Sequence, residues 1–136
     1  MMLFTAEIMA KLRANNESAK LAYGTGAHDP VPVPVVKIFT PDANATWLLT
    51  EIDEGDEGDL LFGLCDLGLG FAELGYVSRA ELESLRGKFG LPVERDRGFT
   101  GHAPLSVYAD YVMGEGSIAA AERGVRANAD KEPTSA

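Results

Sequence analysis

A single cysteine, Cys65, is all the chain has, and one cysteine excludes any disulfide within it. Set in the apolar run LFGLCDLGL, it reads as a small buried hydrophobe in a reducing compartment. Histidine is almost as scarce. His28 and His102 both fall in expected loops, and with one cysteine they cannot assemble a zinc ligand set. A Cys–His nucleophile would need an exposed, activated thiol, which the apolar setting argues against. No apolar run approaches the ~18 residues that span a bilayer. The opening, MMLFTAEIMAKLR, puts no basic segment ahead of its apolar residues and reaches Glu7 early, unlike a secretory signal. Positive charge is also short: 12 Lys and Arg stand against 21 Asp and Glu, a net charge of −9. A surface of that sign repels phosphate backbones and disfavours direct nucleic-acid binding. The expectation is a cytoplasmic protein with no membrane segment, no metal and no cofactor. Acidity itself has two readings, solubility or a DNA-mimicking surface that occupies a DNA-binding protein.

What is present is ordinary for a globular chain. At 136 residues and 46% hydrophobic content, one domain with a real core is expected. Residues 4–16 read as a helix, with Thr5 as N-cap, Glu7 in the first turn and Phe4 and Met9 spaced as a hydrophobic staple; Asn15 and Asn16 weaken it, although SAKLAY at 18–23 could add another turn. Pro30, Pro32 and Pro34 alternate with valines, which suits either the blunted entry of an edge strand or a polyproline-like linker. Strands are expected at 35–39, 46–53, 60–67, 71–77 and, marginally, 92–96. Turn residues separate them: Pro41 and Asp42, the acidic run at 54–59, then Gly68 and Gly70. Ser78 and Glu81 form a capping box for a second helix, with Leu82 and Leu85 as its buried face and Gly87 as its stop. Pro104 suits the first position of a final helix that turns Leu105, Tyr108 and Tyr111 or Val112 inward. Residues 1–113 therefore make one α+β domain, a single antiparallel sheet of four to five strands with helices packed on one face. Residues 114–136 hold few large aliphatics and read as a disordered or frayed tail.

Alternation divides the strand side chains into two sets. Val36, Ile38, Leu48, Ile52, Leu61, Cys65, Leu74 and Tyr76 form the expected core face. Lys37, Phe39, Trp47, Leu49, Glu51, Asp53, Phe71 and Glu73 form the other, where rings and carboxylates mix. That second face is a candidate surface for a protein partner; the alternative is a wet face with solvated Lys37 and acids and its aromatics covered by the C-terminal helix. Catalysis by Glu51 and Glu73 would require the two acids to converge in a cleft. The run DEGDEGD lacks the calcium-loop spacing, with Gly55 where a ligand should stand, and GLGFAELG misplaces its third glycine for a nucleotide loop. The charged run 94–97 is expected to join a surface ion-pair network with Arg79, Arg86 or Glu83.

Six segments follow one another along the chain: V-K-x-F-T-P-D at 36–42, T-W-x-x-T-E at 46–51, F-G-L at 62–64, A-E-L-G-Y at 72–76, E-L-E-S-x-R-G at 81–87 and L-P-x-E-R-D at 91–96. In this order they resemble the family known as domain of unknown function 2958, small bacterial proteins often encoded on plasmids and integrative elements. The resemblance covers residues 3–107; the acidic loop 54–59 and the tail after Met113 depart from it. It implies a mobile-element accessory role and no particular chemistry. It also directs attention to Thr40, Pro41, Asp42, Trp47, Glu51, Glu73, Arg86, Glu94, Arg95 and Asp96. Combined with the face reading, it makes Phe39, Asp42, Trp47, Glu51, Glu73, Arg86, Arg95 and Asp96 the expected interaction surface. The functional expectation is a non-enzymatic protein-interaction module with an unknown protein partner; the alternatives are an acidic DNA mimic and a carboxylate-dependent enzyme.

Overall fold

The computed structural model of the protein describes residues 2–26 and 31–131; His28, Pro30 and the last five residues lie outside the described residues. Helix α1 (Ala6–Thr25) starts where expected, because the Thr5 hydroxyl accepts the Ile8 amide at 3.1 Å. It runs nine residues past the expected end at 16 and stops only at Gly26, whose φ of 73° is left-handed. Four strands follow, β1 (Val36–Phe39), β2 (Thr46–Gly55), β3 (Gly58–Asp66) and β4 (Ala72–Ser78), and then α2 (Arg79–Ser84). The Ser78 hydroxyl caps α2 by accepting the Glu81 amide, but the helix ends at Leu85, ahead of the expected stop at Gly87. Strand β5 (Glu94–Arg95) and helices α3 (Leu105–Glu115) and α4 (Ile118–Lys131) complete the chain.

All strand pairs are antiparallel, in the order β4-β3-β2-β1-β5. Strand β1 is therefore interior along Ile38 and Phe39, where β5 pairs with it. Pro32 and Pro34 stand before the strand rather than on an edge, and the Pro32 carbonyl accepts the Leu105 amide.

Helices cover both faces of the sheet, not one. Under α1 and α2 lie Val36, Ile38, Trp47, Leu49, Ile52 and Leu61, packed with Phe4, Met9, Leu12 and Leu82. On the opposite side Leu48 and Leu64 pack with Leu105, Tyr108 and Val112 of α3 and Ile118, Ala121 and Val125 of α4. The face assignment of β2 changes at one residue. Trp47 stands opposite Cys65 and Leu49 opposite Gly63, but the next pair is Glu51 with Phe62, so Thr50 is a bulge. Uninterrupted alternation puts Leu48 and Ile52 on one face; the bulge puts Leu49 and Ile52 there instead. Trp47 and Leu49, expected on the open face, are thus core residues at 4% and 1% exposure. Leu48 belongs to the second core.

The frayed tail expected after Met113 is corrected as well. Gly116 adopts φ 83° and breaks α3 from α4, and α4 then buries Ile118, Ala121 and Val125, a spacing that lines one helical face. The salt bridge from Glu122 to Lys37 on β1, 2.8 Å long, anchors the same helix. Among the described residues, no helix is long and apolar enough to cross a membrane.

Two outcomes follow from this packing. A chain cut after Met113 uncovers Leu48 and Leu64, so it should lose cooperative urea unfolding or fall out of solution. Trp47→Ala should cost about 3–5 kcal/mol of unfolding free energy by urea titration, whereas exposed Tyr76→Ala should cost less than about 1 kcal/mol.

Candidate functional site

The sheet carries an open edge at β4 and, beside it, a polar cleft. The edge begins at the β3–β4 turn, residues 67–71, where Gly68 and Gly70 take φ of 78° and 93° as a tight reversal requires. In the β3–β4 register Leu74 lies opposite Leu64 and Tyr76 opposite Phe62, which puts both on the α3/α4 face. Tyr76 meets the Phe62 ring at a centroid distance of 5.0 Å. The expected placement of Leu74 and Tyr76 in the core is corrected: α2 and α3 touch β4 but leave both side chains more than half exposed. Leu67, Leu69, Phe71, Leu74 and Tyr76 are 53%, 68%, 57%, 51% and 67% exposed.

The cleft, about 830 Å³, opens at the same end of the sheet and shares Gly68 and Gly70 with the turn. Its walls include Lys37 and Phe39 of β1, Asn44 and Thr46 before and at the start of β2, Asp66 at the end of β3, Arg95 to Arg97, and Ser117 ahead of α4. Asp66 is tied down: Oδ1 accepts the Gly68 amide at 2.9 Å and Oδ2 accepts the Ile118 amide at 3.1 Å. It thereby fastens the turn to the start of α4, where a carboxylate is favoured. Lys37 bridges Glu122 and, at 3.8 Å, Asp96.

The expected surface residues do not form one face. Phe39, Arg95 and Asp96 meet at the cleft. The Arg95 guanidinium is held on the α1 side instead, opposite Ile38, its Nη1 donating to the Met2 and Leu3 carbonyls at 2.7 Å each. Asp42 fastens a loop: its Oδ2 accepts the Phe89 and Leu91 amides at 2.7 and 3.1 Å. Its Oδ1 is buried without a hydrogen-bond partner, where a Cβ on residue 87 would stand, so only glycine fits at Gly87. Arg86 donates to the Glu83 and Leu85 carbonyls at the end of α2. Trp47 is buried in the α1 core. Glu51 and Glu73 lie on opposite faces, Glu51 paired with Phe62 and Glu73 with Cys65.

The charged run 94–97 does not join Arg79 or Arg86. Arg79 instead bridges Glu83 and Asp59, and its guanidinium stands 5.5 Å from the Phe4 ring centroid. Two acids flanking the hairpin turn are likewise compensated, Glu54 by Arg13 and Asp53 by Lys20. The Arg13 guanidinium, hydrogen-bonded to Glu54, holds that carboxyl below its usual range. Cys65 is half-buried, and loss of solvent pushes its thiol up, outweighing the nearby Trp47, while the Asp66 and Glu73 charges add to the rise.

Leu67, Leu69, Leu74 and Tyr76 were missed as surface residues. The signal available was a strand between glycine turns and a helix cap, with Glu73 its one charge.

The arrangement defines a class first: an α+β protein whose antiparallel sheet is held between helices and left open along one long edge. The family described as "Protein of unknown function (DUF2958)" matches residues 3–119, and the chain belongs to it. No curated protein and no solved structure matches the chain.

Two measurements check the roles of these residues. Asp42→Ala strands two amides of the 87–91 loop and should cost about 1–3 kcal/mol in urea unfolding. The raised thiol keeps Cys65 protonated at neutral pH, so its alkylation should be slow in the folded protein. Unfolding in urea should speed it at least about tenfold at the same pH.

Proposed function

We propose that the protein is a non-enzymatic interaction module, an accessory of a bacterial cytoplasmic or mobile-element system, and that β4 with the β3–β4 turn is its contact surface. The observation that carries this reading is five exposed large apolar side chains within ten residues, Leu67, Leu69, Phe71, Leu74 and Tyr76. Of the other exposed apolar side chains, Tyr23 and Met113 stand on helices, whereas these five share one edge strand and its turn, where they are costly in water and mark a place that a partner covers. The polar cleft ends at the same turn and supplies a hydrogen-bonding rim for that contact, with Asn44, Thr46 and Arg97 along it.

The charge distribution supports this reading over a DNA mimic. Glu54, Asp53, Asp59, Glu83 and Glu122 each stand against a basic side chain, and Asp42 and Asp66 accept backbone amides. A phosphate-like row would need carboxylates left uncompensated along one line. The placement of Glu51 and Glu73 on opposite faces supports it over acid–base catalysis by that pair.

The test is capture from bacterial lysate by the wild type, by Phe71→Glu with Leu74→Glu, and by the control Leu21→Glu on exposed α1. The double variant should lose the captured protein about tenfold or more while the control keeps it. Equal capture by all three would remove β4 as the contact surface.

A further inference from the structure

The structure assigns β4 an occupant: we propose that a second copy of this chain pairs with it, strand against antiparallel strand about a two-fold axis, to give one continuous ten-stranded sheet. The choice of surface rests on the interaction reading above; the choice of partner rests on the strand itself. The two edges of the sheet differ in kind. Strand β5 has two residues, both charged, whereas β4 has seven, with no proline, no lysine or arginine and no bulge against β3. Of the devices by which edge strands avoid pairing, β4 keeps a single charge, Glu73.

The sequence of β4 is also complementary to itself. A two-fold axis through Gly75, the middle residue, sets Leu74 opposite Tyr76 of the second copy and Ala72 opposite its Ser78. Glu73, the one charge on the strand, then faces Val77 rather than another carboxylate, so two copies of an acidic chain meet without like charges opposed. An axis normal to the sheet keeps the faces aligned, so Leu74 and Tyr76 of both copies form one apolar cluster beside Phe62. Gly75 meets Gly75 at the axis, with open space around each Cβ position. Leu74 and Tyr76, each more than half exposed, supply the apolar centre of that contact.

Light scattering during gel filtration, over a wide concentration range, reads the outcome directly. The wild type should elute at twice the 14.5 kDa chain mass. Leu74→Lys with Tyr76→Lys should elute at the chain mass with an unchanged circular dichroism spectrum and a melting temperature that, unlike the wild type's, does not rise with protein concentration. Leu21→Lys should stay dimeric. Gly75→Cys in a Cys65→Ala background reads the register, because opposite Cα atoms in antiparallel strands lie within disulfide reach. Mild oxidation should crosslink that variant to a dimer and leave Val77→Cys uncrosslinked. A wild type that stays monomeric, a dimer indifferent to both lysines, or no crosslink through Gly75→Cys would each overturn the proposal. A monomeric wild type that still captures a host protein through Leu74 would sink the dimer and leave the interaction reading standing. A dimer whose lysine variant captures host protein unchanged would support this proposal against a host protein on β4.

Discussion

The structure depends on one residue that the β-ladder leaves out. Thr50 sits between Leu49, opposite Gly63, and Glu51, opposite Phe62, and it is fully buried. Its hydroxyl donates to the Phe62 carbonyl and its carbonyl accepts the Asn15 side-chain amide from α1, so the irregular backbone is satisfied on both sides. Because side chains alternate with a period of two, one extra residue reverses which face each half of the strand presents. Trp47, Leu49 and Ile52 come to the same side, and Leu48 is delivered to the other. A strand with apolar residues on both faces has to be covered twice, and two helix layers follow.

The covering layers determine what remains open. Helix α1 lies along β2, α2 against β3 and β4, and α3 against β3 and β4, while α4 reaches β1 through Glu122 and Lys37. A partly buried ion pair of that kind holds a helix in place where long aliphatic side chains are few. The layers end before the outer side of β4. Leu67 to Tyr76 therefore expose apolar side chains along the sheet's edge, not across a whole face as strand patterning suggests. Several charged residues serve the frame: Asp42 holds the 87–91 loop, Asp66 joins the β3–β4 turn to α4, and Arg95 ties β5 to the N-terminal segment.

How far the sequence could be read depended on the range of the interactions involved. Thr5 and Ser78 act on amides three residues away, and both caps are where the sequence puts them. Strands β1 and β3 show their faces correctly, since nothing interrupts their alternation. Strand β4 alternates as expected, yet its face is wrong, because the turn alone does not say which side of β3 it will continue. The α4 helix had its signal in Ile118, Ala121 and Val125, but alanines make a faint apolar stripe until a sheet lies beneath it. Of the surface residues, Phe39, Arg95 and Asp96 converge at the cleft, while Trp47 belongs to the core and Arg86 to the end of α2.

By itself the sequence determined the α+β class, the order of the elements as far as α3, the N-caps at Thr5 and Ser78, and family membership, since these rest on neighbours within a few residues. The tertiary structure alone decided which side of each strand meets helix, that the last segment folds, and that the open surface runs along β4. Those outcomes rest on register and on contacts between residues tens of positions apart, and a single inserted residue in β2 is enough to reverse them.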